Sequence, residues 1–219
     1  MQNPNIPRQK TEAELKIDSL LEKLKTVDID LEQETADQEQ LNPYERMLSI
    51  RNVWETIKDK LHNPETALDV GSGFGYGTVM LDAQGIKTVG IENVPAKNEQ
   101  ALELFNQLDI TLKEIDKIDF ENSPAILETD FNKLSDQEVT DLITMFYLSG
   151  ELISNPETLK TCEKLLKTNG QMILSTEADR AHVEEILASG NLKLPTNFSW
   201  EIIDVPNNFE KTIILLTKN

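Results

Sequence analysis

Ala67-Leu68-Asp69-Val70-Gly71-Ser72-Gly73-Phe74-Gly75-Tyr76-Gly77, followed after a short interval by Lys87-Thr88-Val89-Gly90-Ile91-Glu92, is the stretch whose reading decides the fold. An apolar run that ends in an acid and a glycine-dense turn, then room for one helix, then a second apolar run ending in an acid, describes a βαβ nucleotide site. Glycine lets the backbone take up φ > 0 and approach a ligand closely, and the helix that follows points free amides at it. The unit is expected to bind an adenosine-like molecule.

Spacing narrows the ligand. In the dinucleotide fingerprint G-x-G-x-x-G the last glycine falls on Tyr76 when counted from Gly71, and on Thr78 when counted from Gly73, so neither register fits. No lysine lies between Gly71 and Lys87, so the loop lacks the cation of a triphosphate-binding loop. What remains is Asp69-x-Gly71-x-Gly73-x-Gly75, with an acid just ahead of the glycines, where a ligand carrying an ammonium or sulfonium gains from the negative charge.

On these residues the chain resembles the class I methyltransferases that use S-adenosylmethionine. The resemblance implies that Asp69 lies near the methionine part of the cofactor and that Glu92, ending the second strand, accepts both ribose hydroxyls, for which two carboxylate oxygens suit a vicinal diol. It also implies that Gly71, Ser72, Gly73, Phe74, Gly75 and Asn93 surround the cofactor. Further along, Ala125-Ile126-Leu127-Glu128 reads as a strand that runs into Thr129-Asp130-Phe131, where the family places its adenine contacts, on Asp130 and Phe131.

Composition sets the outer limits. The chain has 219 residues, enough for one α/β domain with an extension. It has no apolar run long enough for a membrane span and no charged-then-apolar leader, so a cytoplasmic protein without membrane association is expected, as a monomer or weak dimer. The single Cys162 excludes an internal disulfide and a cysteine-based zinc site, and His62 and His182 are too far apart to suggest metal ligands. Thirty-nine acids against 21 Lys and Arg give a formal charge of −18. Such a surface repels phosphate backbones, which disfavours double-stranded nucleic acid and leaves a protein substrate or a small-molecule acceptor.

The rest of the chain follows the order of the class I fold. Thr11 and Glu14 form a capping box for a helix from Glu12 to Lys25, whose apolar face is Ile17, Leu20, Leu21 and Leu24. The acids Asp28 to Glu39 follow, with no basic residue among them, so residues 1–40 read as an acidic extension, helical or partly disordered, and residues 41–219 as the cofactor-binding domain. A helix begins at Asn42-Pro43, with Tyr44 and Trp54 as core residues, and another spans Thr78 to Gln84. A long helical pattern opens at Val94-Pro95 and extends toward Ile115 and Ile118. Asp141 to Leu148 reads as a strand, Asn155 to Gly170 as a helix containing a core Cys162, and Gln171 to Thr176 as the next strand. A helix over Asp179 to Leu187 precedes a hairpin of Phe198 to Val205 and Thr212 to Thr217. The expected fold is α/β, a Rossmann-like, mostly parallel sheet of seven strands with helices on both faces and a terminal antiparallel hairpin.

Methyl transfer from a sulfonium relies on positioning and desolvation, so a catalytic base is harder to read than a cofactor site. The candidates at the end of the Asp141 strand are Tyr147, also a cofactor contact, with Ser149 and Glu151; Asn208 in the last turn reaches the mouth. Phe146-Tyr147-Leu148-Ser149 lacks the paired prolines of enzymes that methylate nucleobase amines. A second, local resemblance is to the non-SET histone-lysine methyltransferases, through Gly90-Ile91-Glu92, Val94-Pro95-Ala96-Lys97 and Thr129-Asp130-Phe131, although the family's Asn-Asn-Phe-Ala-Phe has no counterpart at Phe146 to Gly150. The acceptor expected from these readings is a protein side chain, with lysine a candidate; a small-molecule acceptor, or a binding protein that keeps the fold without the activity, are the alternatives.

Overall fold

The computed structural model describes residues 10–27, 42–135, 138–146 and 155–219. Its centre is β1 (Thr66–Val70), whose Ala67, Leu68 and Val70 are buried. Apolar content of this kind, interrupted only by Asp69, is what a parallel strand covered on both faces requires. β1 pairs in parallel with β2 (Lys87–Glu92) on one side and with β5 (Thr140–Met145) on the other. The chain moves outward from β1 through β2, β4 (Ala125–Glu128) and β3 (Lys113–Ile115), then crosses to the opposite side of β1 for β5. The strand order therefore reverses at the carboxyl end of β1, the place where open α/β sheets bind ligands.

Beyond β5 lies β6 (Leu166–Thr176), parallel to it, and then the antiparallel pair β8 (Thr212–Lys218) and β7 (Phe198–Asp204). The complete order is β3-β4-β2-β1-β5-β6-β8-β7. The sheet has eight strands where seven were expected, and the extra one is β3. The helix that opens at Pro95 stops at Gln107 instead of continuing toward Ile118. Asp109 has a φ of 57°, a left-handed residue that ends the helix, and Ile110 and Leu112 then fold back onto the core before Ile115 pairs with Leu127. β6 also begins earlier than expected, at Leu166. A register shift absorbs the turn around Gly170, where a Cβ would come within 2.8 Å of the Lys167 carbonyl oxygen.

Helices cover both faces. On one side lie α1 (Glu12–Leu24), α2 (Pro43–Ile57), α3 (Tyr76–Ala83) and the inner face of α4 (Pro95–Gln107). On the other lie α5 (Pro156–Leu165), which buries Cys162, and α6 (Arg180–Ser189). Burial pushes the Cys162 thiol well above its usual range, which makes it a packing residue, not a nucleophile. Trp54 is buried and Tyr44 partly so, both in the core under α1.

The expected capping box is present at α1: Thr11 Oγ1 accepts from the Glu14 amide at 3.2 Å, and Glu14 Oε2 accepts from the Thr11 amide at 2.7 Å. α2 has the same device on Asn42 and Glu45. Ile17, Leu20, Leu21 and Leu24 pack α1 against α2 and α3, Arg51 on α2 meets Asp18 at 2.9 Å, and the Lys23 ammonium donates to the Leu108 carbonyl. The helix of the N-terminal extension is thus part of the main core. Leu21→Ala, at a site 4 % exposed, should cost about 2–4 kcal/mol of stability. The change should appear as a lower denaturation midpoint at unchanged slope, and a loss under about 0.5 kcal/mol would show that α1 is peripheral.

Candidate functional site

The glycine loop follows β1 at the switch point. Gly71, Gly73 and Gly75 have φ of 68°, 52° and 75°, a region where a side chain is strained. The loop is pinned to the end of β2. The Gly71 and Ser72 amides donate to the Ile91 carbonyl at 2.8 and 3.1 Å, and the Gly73 amide donates to Glu92 Oε2 at 3.0 Å. The other Glu92 oxygen accepts from the Asn93 and Val94 amides at 2.8 and 3.0 Å. One buried carboxylate thereby holds the loop and the start of α4 together. A Cβ built on Gly71 or Gly73 meets nothing within 4 Å, so the space above these two residues is open. Beneath the loop the packing is tight, and a Cβ on Gly90 would run into Thr78 and Ser72.

Asp69 is buried under the start of α3. Its oxygens accept from Thr144 Oγ1 at 2.9 Å and from Thr78 Oγ1 at 3.0 Å. A Cβ at Gly77 would come within 2.5 Å of Asp69 Oδ2 and 2.8 Å of Phe146, so only glycine lets α3 descend this close. Burial pushes the Asp69 carboxyl up to about 6, against the hydrogen bonds from Thr144 and Thr78 that pull it down; the nearby charge of Glu92 adds to the rise.

The structure brings Asp69, Gly71, Ser72, Gly73, Gly75, Glu92 and Asn93 to one carboxyl edge. The Ser72 hydroxyl is buried there without a hydrogen-bond partner among the described residues. Phe74 is 5 % exposed and packs against Tyr76 in a tilted pair with ring centroids 6.2 Å apart, so its ring belongs to the core and only its backbone borders the loop. The Thr129 amide donates to the Glu92 carbonyl at 3.0 Å, which sets Asp130 beside the end of β2. The Asp130 side chain caps a short turn through the Asn132 amide at 3.0 Å and remains 40 % exposed. Phe131 is buried against the opposite core. Tyr147, Ser149 and Glu151 lie outside the described residues.

Sequence reasoning overlooked four residues here. Thr78 on α3 and Thr144 on β5 hold Asp69, and Thr144 stands level with Asp69 in the sheet. Asn98, on the first turn of α4, is buried in an otherwise apolar face. Glu210 is fully buried beyond β5, where the Ser175 hydroxyl on β6 donates to it. Asn208 is half-buried in the β7–β8 turn. It donates to the Ser49 and Glu210 carbonyls at 3.2 and 3.1 Å and accepts from Asn52 at 3.3 Å, which latches the β7–β8 turn onto α2.

A cavity of about 250 Å³ lined by His62, Asp141, Asn169 and Gln171 opens at the amino ends of β1 and β5, the edge away from the glycine loop. Asp141 is fully engaged there, with Lys167 at 2.9 Å and Thr66 at 2.8 Å, and serves the fold.

The raised carboxyl of Asp69 makes stability depend on pH. Between its unfolded value of 3.8 and about 6, the folded protein holds a proton that the unfolded chain has lost, so this group's contribution is best below about pH 4 and falls as pH rises to about 6. The penalty at neutral pH is about 3 kcal/mol. Asp69→Asn should therefore gain stability relative to the parent between pH 4 and pH 7, as read from paired thermal melts. A variant that loses ground across that interval would contradict the assignment.

Residues 38–205 match the family model described as a methyltransferase domain. No curated protein matches the chain. Among solved structures, a candidate S-adenosyl-L-methionine-dependent methyltransferase from Methanococcus maripaludis aligns over 98% of both chains at 14% identity, with a TM-score of 0.56. The magnesium protoporphyrin IX methyltransferase of Synechocystis, solved with its cofactor bound, covers 83% of this chain and 86% of its own at 15% identity, TM-score 0.55. The geranyl diphosphate C-methyltransferase of Streptomyces coelicolor covers 83% and 85% at 12% identity, TM-score 0.52. At such identities these structures speak for the fold, and the family match speaks for the activity. The chain belongs to the methyltransferase domain family, as a class I enzyme that uses S-adenosylmethionine.

Proposed function

We propose that the carboxyl edge of β1, β2 and β4 holds the cofactor, with Glu92 meeting the ribose diol through the one acceptor position that its three amide partners leave, Asp69 on the side of the methionine group, and Asp130 and the Phe131 backbone toward adenine. The observation that carries this reading is the buried Glu92 carboxylate at the open face of the loop. It accepts three amide bonds and, with about four acceptor positions, retains capacity for a further donor. The open space above Gly71 and Gly73 fits a ligand that lies across the loop. Bound S-adenosylmethionine supplies an electrophilic methyl group carried on a sulfonium. The chain's own part is to orient it, exclude water and present the nucleophile.

The acceptor half of the same edge runs from β5 to the β7–β8 turn, with Glu210 and Ser175 at its far side. We infer a neutral nucleophile there, an atom that has given up any proton before it attacks, in the first instance on a protein side chain. A formal charge of −18 favours a basic partner and opposes phosphate-rich ones. A small-molecule acceptor is the second reading, supported by two structural relatives named for small-molecule substrates. Lysine itself rests only on the local resemblance around Glu92. In the domain division proposed here, residues 41–219 form the catalytic unit and α1 braces it.

Calorimetry with S-adenosylmethionine tests the cofactor half. Glu92→Ala should weaken binding by about 1.5 to 3 kcal/mol, and unchanged affinity would remove Glu92 from the site. Because a cationic ligand favours ionised Asp69, affinity should rise as pH passes through about 6 in the parent and not in Asp69→Asn. Incubation of a lysate with radiolabelled cofactor tests the acceptor half. Label in protein supports the first reading, and label only in the small-molecule fraction replaces it with the second.

A further inference from the structure

Among the buried polar side chains near the site, most are bonded. Asp69 takes two threonine hydroxyls and Glu92 three amides, while the Ser72 hydroxyl has no partner among the described residues. Asn98 differs. It is 3 % exposed, and neither Oδ1 nor Nδ2 has a hydrogen-bond partner among the described residues. Burying an amide that way forfeits its hydrogen bonds to water with nothing in return, and a leucine of similar size at that position would avoid the cost.

Its place on α4 is informative. The helix starts directly from the Glu92 anchor: Val94 donates to Glu92 Oε1 at 3.0 Å, and the Asn98 amide donates to the Val94 carbonyl at 3.4 Å. Asn98, Ala101 and Phe105 recur at three and four residues, so they share the inner face of the helix. That face borders the glycine loop, since Phe105 lies 3.4 Å from where a Cβ on Gly75 would stand. α4 packs on β2 and β4, the two strands whose ends carry Glu92 and lead to Asp130.

We propose that Asn98 is a specificity-determining residue that reads the edge of the cofactor's adenine. This deepens the cofactor reading above and rests on it. With the ribose diol assigned to Glu92 and the methionine end to the Asp69 side of β1, adenine is the part left for the β2–β4 side, where α4 lies. The 6-amine and N7 edge of adenine presents an amine donor next to a ring-nitrogen acceptor, and a carboxamide is their complement, acceptor to donor and donor to acceptor; with a carbonyl in place of the amine that edge presents two acceptors, which a carboxamide cannot match. The orphaned amide is then a site whose partner belongs to the ligand.

The test is calorimetry of S-adenosylhomocysteine and S-inosylhomocysteine, in which a carbonyl replaces the exocyclic amine, against the parent, Asn98→Leu and Asn98→Ala, with thermal melts of the free proteins. The parent should prefer the adenosyl ligand. Both variants should bind it about 10- to 100-fold more weakly and lose the preference. Free Asn98→Leu should melt no lower than the parent, because its orphaned groups are gone; if it folds poorly, Asn98→Ala decides. Unchanged affinity in the variants, or an equal loss for both ligands, overturns the role of Asn98 alone. Failure of the parent to bind S-adenosylhomocysteine at millimolar concentration overturns the cofactor reading beneath it.

Discussion

The Glu92 carboxylate is the constraint on which the site depends. A buried acid is costly unless its lone pairs are used, and here the backbone uses them: Gly73 from the glycine loop, Asn93 and Val94 from the start of α4. The arrangement requires left-handed glycines in the loop, a close approach at Gly90 and a β2 that ends level with β1. Each of these is a local departure from the cheapest backbone, and together they bring a charged acceptor to the mouth of the fold.

Asp69 adds a second buried acid on the neighbouring strand. Burial disfavours its charge, and the threonines on α3 and β5 recover only part of what is lost. At neutral pH the folded protein therefore carries a penalty at the point where a cationic ligand would relieve it. A hydrophobic residue there would stabilise the free protein and forfeit that attraction, the exchange expected where a site is selected for binding over stability.

Much of this was legible in the chain because the signals were local and periodic. Asp69, Glu92 and the three glycines declare themselves by spacing, and the capping box at Thr11 and the apolar run of β1 by residue type alone. The strand β3 was not, because Ile115 and Ile118 continue a helical spacing that only the left-handed turn at Asp109 interrupts. The partners of Asn208 were not legible for a different reason: Ser49 and Asn52 are more than 150 residues away in the chain. Glu210 and Asn98 carry no motif; only burial, which is a property of the assembled fold, distinguishes them from the many other acids and amides of this acidic sequence.

The most direct measurement is hydrogen–deuterium exchange with and without S-adenosylhomocysteine. The account predicts new protection at residues 71–75, 92–94 and 129–131, with no change around His62, Asp141 and Asn169 at the opposite edge. Protection confined to that opposite edge, or absent from the amides that Glu92 holds, would contradict it.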